Sequence, residues 1–145
     1  MDGHDLERFV RAQAPVFDAA LAELRAGTKR SHWMWFVFPQ LAGLGRSPTA
    51  RFYALASLDE ARAFLAHPVL GPRLREATET VLSHPDRSLR TIFGTPDDLK
   101  FVSSATLFDH ASNERANVFV RALETFNEGR RDPRTLELLG APPQA

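Results

Sequence analysis

Lys29 and His32 stand directly before an aromatic run, residues 33–38, and together these side chains could bind an anionic, planar molecule. If Thr28 or Ser31 caps a helix that enters the run, free amides and the positive end of the helix dipole would lie beside the lysine and the histidine. Helix starts of this kind bind anions and phosphates. A solvated helix start, in which the histidine bonds a backbone carbonyl, explains the same residues about equally well.

Trp33 and Trp35 could stack on a planar ligand such as a nucleobase, where each contact is worth about 1–3 kcal/mol. An aromatic cluster of this density is more often hydrophobic core. Because residues two apart point to different sides of a helix, one tryptophan can be core while the other lines a pocket. Gln40, which follows Pro39, has donors and an acceptor suited to a base edge or an amide.

Arg46 lies in a short glycine loop, residues 43–48, that opens the next helix. Backbone amides could approach a phosphate closely there, and the arginine could neutralise it. The loop is neither a Walker loop nor a dinucleotide fingerprint. A tight turn before a proline-started helix explains it adequately.

Lys100, Ser103 and Ser104 share one face of a helix together with residue 107. A lysine beside a serine can act as the base that activates a nucleophile, as in hydrolytic Ser-Lys sites. Small residues at this spacing are more often present to let helices approach each other. The sequence identifies no oxyanion-hole partner for these residues.

These patterns predict a binding site for a small anionic or nucleotide-like molecule, built around His32 and residues 33–40. A hydrolase or transferase activity at the same site is compatible with this hypothesis. The catalytic candidates are His32, Lys100 and Ser104, and the ligand-binding candidates are Lys29, Trp33, Trp35, Gln40, Arg46 and Ser103. The alternative is a non-catalytic protein-interaction or regulatory module whose aromatic motif is structural core. Convergence of these candidates on one concave site would favour the ligand hypothesis, and scattering would count against it.

The composition narrows the function classes. The 145 residues include 18 basic and 18 acidic side chains, so no overall field attracts nucleic acid, and no nucleic-acid partner is expected. Cysteine is absent, which excludes disulfides and thiolate sites and fits a cytoplasmic protein. The five histidines show no close ligand spacing, so no metal site is expected. No cofactor is expected either. The acidic start is unlike a secretory signal, and no apolar run approaches membrane-spanning length. The oligomeric state stays open.

Helix punctuation recurs along the chain and predicts an all-α single compact domain of about seven helices over residues 1–140. Ser47-Pro48 and Asp132-Pro133 each place a cap before proline at the first helical position. Ser57 and Glu60 form a capping box. Pro15 should kink or split the first helix. Residues 141–145 are expected to form a disordered tail.

Two further expectations concern local structure. Ser112 or Asn113 is expected to open the helix that carries Val118. Residues 33–38 are the one stretch that could form a buried strand, and a lone strand cannot build a sheet.

Several segments resemble a family of small bacterial proteins known as a domain of unknown function. They are Lys29-Arg30-Ser31-His32-Trp33-Met34-Trp35-Phe36, Phe38-Pro39-Gln40-Leu41, Gly43-Leu44-Gly45-Arg46-Ser47, His67-Pro68, Leu70-Gly71, Ile92-Phe93-Gly94, Asp97-Asp98-Leu99-Lys100, Ser103-Ser104 and Thr106-Leu107-Phe108. The resemblance spans residues 6–139 and implies an all-helical single domain, as in a mycobacterial relative of similar size. It implies no established activity.

Two details of this resemblance concern the label given to family members and two positions at which this sequence differs from the family pattern. Members are sometimes labelled "calpastatin", but an inhibitor of that kind is a disordered, polar chain, whereas this chain is rich in core-forming aromatic residues. Phe101 and Ala105 stand where the family pattern leads us to expect leucine and methionine around the serine pair.

Overall fold

A computed structural model describes residues 4–144, and within them the chain forms ten α-helices and no β-strand. The helices are α1 Glu7–Gln13, α2 Phe17–Arg25, α3 Met34–Val37, α4 Pro48–Phe52, α5 Leu58–Ala66, α6 Leu70–Leu82, α7 Leu89–Phe93, α8 Asp97–Ala111, α9 Val118–Asn127 and α10 Pro133–Leu139. The all-α prediction is confirmed. The expected number of about seven is wrong, because Pro15 divides α1 from α2 and the aromatic run forms a single helical turn, α3.

Side-chain caps set several helix starts. The Ser47 hydroxyl accepts a hydrogen bond from the Ala50 amide, and the Ser57 hydroxyl accepts one from the Glu60 amide, both at 3.1 Å. The Glu60 carboxylate instead bonds the Ala56 amide, at 2.8 Å, so the capping box is displaced by one residue.

Helix α9 begins later than the sequence suggested. The Asn117 side chain accepts a hydrogen bond from the Val120 amide at 2.9 Å, and Val118 is therefore the first helical residue. Ser112 is the residue that ends α8. The expectation that Ser112 or Asn113 opens this helix is wrong, because the chain turns between the two helices before a side chain caps the second one.

Helix α8 forms the centre of the molecule, and residues 101–108 are buried without interruption. It contacts α5, α7, α9 and α10. Near its start the Phe101 ring lies 5.2 Å from the Phe38 ring and 5.0 Å from the Phe93 ring. Near its end the Phe108 ring lies 5.3 Å from the Phe64 ring. Other helices therefore surround this part of α8, and its three buried hydroxyl side chains, Ser103, Ser104 and Thr106, lie among them.

Residues 42–54, which we call the flap, form an excursion between α3 and α5. Its two ends are joined by a short parallel bridge between Leu41 and Leu55. The Ala42 amide donates to the Leu55 carbonyl at 2.8 Å, and the Leu55 amide donates to the Gln40 carbonyl at 2.9 Å. The flap contains α4, a helix with no buried residue. It lies over the end of the aromatic run.

The end of the described chain carries no helix. The Gln144 side chain accepts a hydrogen bond from the Arg131 amide at 2.7 Å and donates one to the Gly129 carbonyl at 2.8 Å. The disordered tail stays a prediction, and residues 1–3 and 145 lie outside the described residues. Among the helices between residues 4 and 144, none is long and apolar enough to span a bilayer.

Candidate functional site

The amides beside Lys29 bind a carboxylate that belongs to the chain itself. One oxygen of Glu23 accepts hydrogen bonds from the Arg30 amide at 2.7 Å, the Ser31 amide at 3.0 Å and the Trp33 indole at 3.0 Å. The other oxygen accepts one from the Ser31 hydroxyl at 2.5 Å. The amides that the sequence seemed to offer to a ligand are therefore already occupied.

No helix begins at Thr28 or Ser31, so the condition for an anion site at a helix start is not met there. Helix α3 starts at Met34, and Trp33 precedes it without a side-chain cap. The hydrogen bonds to Glu23 hold the backbone before α3 in a turn instead.

These hydrogen bonds control the protonation of Glu23. Burial is the largest single influence and raises the pKa of this carboxyl group, but the hydrogen bonds from Ser31, Arg30 and Trp33 together outweigh it. The pKa falls from an ordinary value of 4.5 to about 2. Glu23 is therefore ionised at neutral pH and acts as a fixed internal anion.

The two lysines of the chain share one aspartate, and each lysine also contacts one of the two tryptophans. The Lys29 ammonium lies 3.0 Å from one Asp97 oxygen and 5.1 Å from the centre of the Trp33 ring. The Lys100 ammonium lies 3.5 Å from the other Asp97 oxygen and 5.5 Å from the centre of the Trp35 ring. Each lysine thus has both an ion pair and a cation–π contact. One carboxylate faces two ammonium groups, so the three charged groups have a net formal charge of +1.

Burial divides this cluster into a structural half and an accessible half. Trp33 is 1% exposed and the Lys29 side chain 8% exposed. The Lys100 side chain is 28% exposed, and Trp35 is half-buried. The expectation that at least one tryptophan belongs to the core is confirmed for Trp33. A ligand in water can reach the second half of the cluster only.

A small cleft lies over this accessible half. Trp35, Gln40 and Lys100 line it together with Gly45 and Tyr53 of the flap. Its volume is about 10 Å³, which is room for about one water molecule. We call it the Trp35 cleft. The structure therefore brings three of the predicted site residues together, beneath a flap that closes the space between them.

The remaining candidates lie elsewhere. His32 and Arg46 are exposed, and within the described residues neither makes a side-chain hydrogen bond or ion pair. The Ser103 hydroxyl donates to Asp132 at 2.9 Å, toward the start of α10. Ser104 is buried, and among residues 4–144 its hydroxyl oxygen has no hydrogen-bond partner. Since Ser104 does not bond Lys100, the nucleophile–base pair expected of a Ser-Lys site is not formed.

Sequence reasoning missed Glu23, Asp97 and Tyr53. Glu23 leaves one usable signal, because a buried tryptophan N–H requires an acceptor and Trp33 was a candidate for burial. The sequence did explain Asp97 as a first-turn residue of a helix, a position that it occupies in α8. No local sequence pattern indicates that its carboxylate also bridges two lysines, one of them in the segment before α3.

Within residues 4–144, no group of three or more histidine, aspartate and glutamate side chains is placed to hold a metal ion.

The fold is that of a small, single-domain, all-helical protein, and the flap closes a cleft between Trp35 and Lys100. The family model described as "Protein of unknown function (DUF1810)" matches residues 3–139, and the chain belongs to that family. The chain is similar to the conserved hypothetical protein Rv1873 from Mycobacterium tuberculosis, for which there is a crystal structure. The two sequences are 55% identical. The match covers 95% of this chain and 98% of that one, with a TM-score of 0.91. No curated protein matches the chain.

Proposed function

We propose that this protein binds a small anionic molecule with a planar group, such as a nucleotide-like ligand, in the Trp35 cleft. One observation carries the proposal: both lysines of the chain pair with Asp97, and each also contacts one of its two tryptophans. Lys100 with Trp35 forms the half that faces the cleft. Structural packing alone accounts for the buried half. It does not explain why the accessible half repeats the same pairing beside Gln40.

Each side chain has a chemical role in this proposal. Lys100 has three N–H donors, and its contact with Asp97 at 3.5 Å uses only part of that capacity. An anionic group of the ligand would take the remaining donors. The Trp35 ring would stack on the planar group, and Gln40 would offer a donor and an acceptor to its polar edge.

The proposal covers binding and assigns no reaction. A hydrolase or transferase that used Lys100 and Ser104 would need those side chains in hydrogen-bond contact, and Ser104 has no such partner within residues 4–144. His32 is exposed and does not line the cleft. Both residues are therefore outside the proposed binding role.

Thermal unfolding with a panel of inorganic phosphate, sugar phosphates, nucleotides and ADP-ribose derivatives tests the proposal. A ligand present at 100 times its Kd should stabilise the wild-type protein by about 2.7 kcal/mol. Lys100→Ala and Gln40→Ala should lose most of this stabilisation. Arg62→Ala removes a cation in the middle of α5 whose side chain is 56% exposed and does not line the cleft, so it serves as the matched control and should keep the full effect. No stabilisation of the wild type by any compound, or equal stabilisation of Lys100→Ala, would contradict the proposal.

The alternative, a protein-interaction module, is favoured by three exposed large apolar side chains. Phe52 is 57% exposed, Leu99 64% and Leu138 36%. Exposed apolar residues can mark an interaction surface, although scattered ones are common on any protein. Light scattering at increasing concentration, on the wild type and on Leu99→Ser, tests association between copies. A mass that rises in the wild type alone would support this function, and a constant mass would count against self-association.

A further inference from the structure

The flap is fixed at its two ends, and between them side-chain packing holds it. Leu44 and Tyr53 lie partly buried against the core, and the Tyr53 ring lies 5.9 Å from the Phe9 ring and 5.3 Å from the Phe36 ring. The Leu41–Leu55 bridge closes its base. Within the described part of the chain, no backbone hydrogen bond joins residues 43–49 to a residue outside the flap. Helix α4 buries no residue. Segments with exposed hydrogen bonds and few buried contacts are the ones that open locally at low free-energy cost.

Arg8 attaches the second half of the flap to the body of the protein. Its guanidinium donates hydrogen bonds to the Phe52 carbonyl and to the Ala54 carbonyl, both at 2.9 Å. Glu60 lies 3.4 Å from the same guanidinium and is 6% exposed, so it holds the arginine in place. Glu60 also accepts the Ala56 amide, just beyond the flap. Arg8 therefore fixes the backbone where the chain returns from α4 to the core, and Phe9, the next residue of α1, packs on Tyr53 at the same point.

The flap also supplies the roof of the Trp35 cleft. Gly45 and Tyr53 line the cleft from the flap side. A Cβ placed on Gly45 would lie 2.5 Å from the Ala50 Cβ, so the loop packs directly on α4. Gly43 has a φ of +104°, a conformation that glycine adopts without strain and that suits a hinge.

From these contacts we propose that the flap is a lid on the Trp35 cleft and that Arg8 is the latch that holds the lid shut. The role of the lid in admitting a ligand rests on the proposed function, because a cleft of about 10 Å³ admits no ligand larger than water until it opens. The opening of the lid itself does not depend on ligand binding. The lid turns about Gly43 and the Leu41–Leu55 bridge, and Tyr53 leaves the cleft when the lid opens.

Hydrogen–deuterium exchange without any ligand tests the lid. Arg8→Lys keeps a positive charge beside Glu60 but cannot hold both carbonyls of the flap. Loss of one charge-assisted hydrogen bond should raise the open population about tenfold, and amides of residues 42–55 should exchange about tenfold faster. Exchange in residues 102–108 of α8 should not change. Arg11→Lys is the matched control, because Arg11 lies on the same helix with a side chain 80% exposed.

Three results would overturn the lid. The first is unchanged exchange of residues 42–55 in Arg8→Lys, and the second is faster exchange spread evenly over the whole chain. The third result is equal protection of the α4 and α8 amides in the wild-type protein, and it can be measured even if the variant fails to fold.

Because no ligand is present in the exchange experiment, a result that refutes the lid does not affect the thermal-unfolding test of binding. A failed ligand panel likewise leaves the exchange result standing.

Discussion

Glu23 should stabilise the protein in a manner that depends on pH. Its pKa in the folded protein is about 2, against an ordinary value of 4.5, because hydrogen bonds from Ser31, Arg30 and Trp33 overcome the effect of burial, which acts in the opposite direction. A group whose pKa is depressed on folding contributes stability that is complete above the unfolded pKa. That contribution is lost as the pH falls through the folded pKa. The loss should therefore occur between about pH 5 and pH 2.

The size of the effect follows from the shift. Each pKa unit corresponds to about 1.36 kcal/mol, so the change from 4.5 to about 2 amounts to about 3 kcal/mol at most. Glu23 is only half-buried, and solvent screening reduces this to about 1–2 kcal/mol. Glu23→Gln removes the charge and should lower the free energy of unfolding by about that amount at pH 7. Near pH 2.5 the difference from wild type should shrink to a few tenths of a kcal/mol.

Urea unfolding followed by circular dichroism at pH 7, 5, 4 and 2.5 measures this difference. Glu76→Gln is the matched control, because Glu76 is an exposed residue of α6 whose side chain makes no hydrogen bond or ion pair within residues 4–144. It should show no pH-dependent difference from wild type. A constant difference between wild type and Glu23→Gln from pH 7 to pH 2.5, or an NMR titration of Glu23 near 4.5, would refute the reasoning.

Four other substitutions test the packing by the same urea measurement. Ser104→Ala removes a buried hydroxyl that has no partner within residues 4–144, so it should raise the free energy of unfolding by about 1 kcal/mol. Ser103→Ala removes the hydrogen bond to Asp132 and should lower the free energy of unfolding by about 1 kcal/mol. Equal losses of stability in the two variants would contradict this. His67→Ala should cost about 1 kcal/mol, since the imidazole Nδ1 accepts the two amides that begin α6, at 3.1 and 3.3 Å; no loss would show that water replaces the cap. Gly71→Ala should cost about 1–3 kcal/mol because the new Cβ would lie 2.1 Å from the Leu65 carbonyl oxygen; wild-type stability would show that the two helices separate freely there.

The sequence alone predicted the all-helical fold and many of the residues at which helices begin or end. Ser57 before α5, Asp132 before α10 and the break at Pro15 all follow from local chemistry that the structure repeats. The aromatic run was harder, since its apolar residues fit a buried strand and a buried helix equally well. It forms one turn of helix, α3, and residues 4–144 contain no strand with which it could pair.

The candidate site could be predicted only in part. Lys29 and Lys100 were both identified, but their common partner Asp97 depends on how α8 packs against the segment before α3, which no local pattern encodes. Ser103 and Ser104 do lie on one helix, α8, as predicted, but this placement does not bring either hydroxyl to Lys100. Every face of α8 is covered in this region, so Ser103 meets Asp132 and Ser104 meets no polar group within residues 4–144.

The most direct test of binding in the Trp35 cleft uses the two tryptophans themselves. Protein that contains 5-fluorotryptophan should give two ¹⁹F NMR signals, which Trp35→Phe assigns, since the chain has two tryptophans. Titration with the compound that gives the largest thermal shift should move the Trp35 signal and leave the signal of the buried Trp33 in place. The Trp35 signal should stay unmoved in Lys100→Ala at the same concentration. A Trp35 signal that does not move in the wild-type protein at a concentration that stabilises it would show that the ligand binds elsewhere.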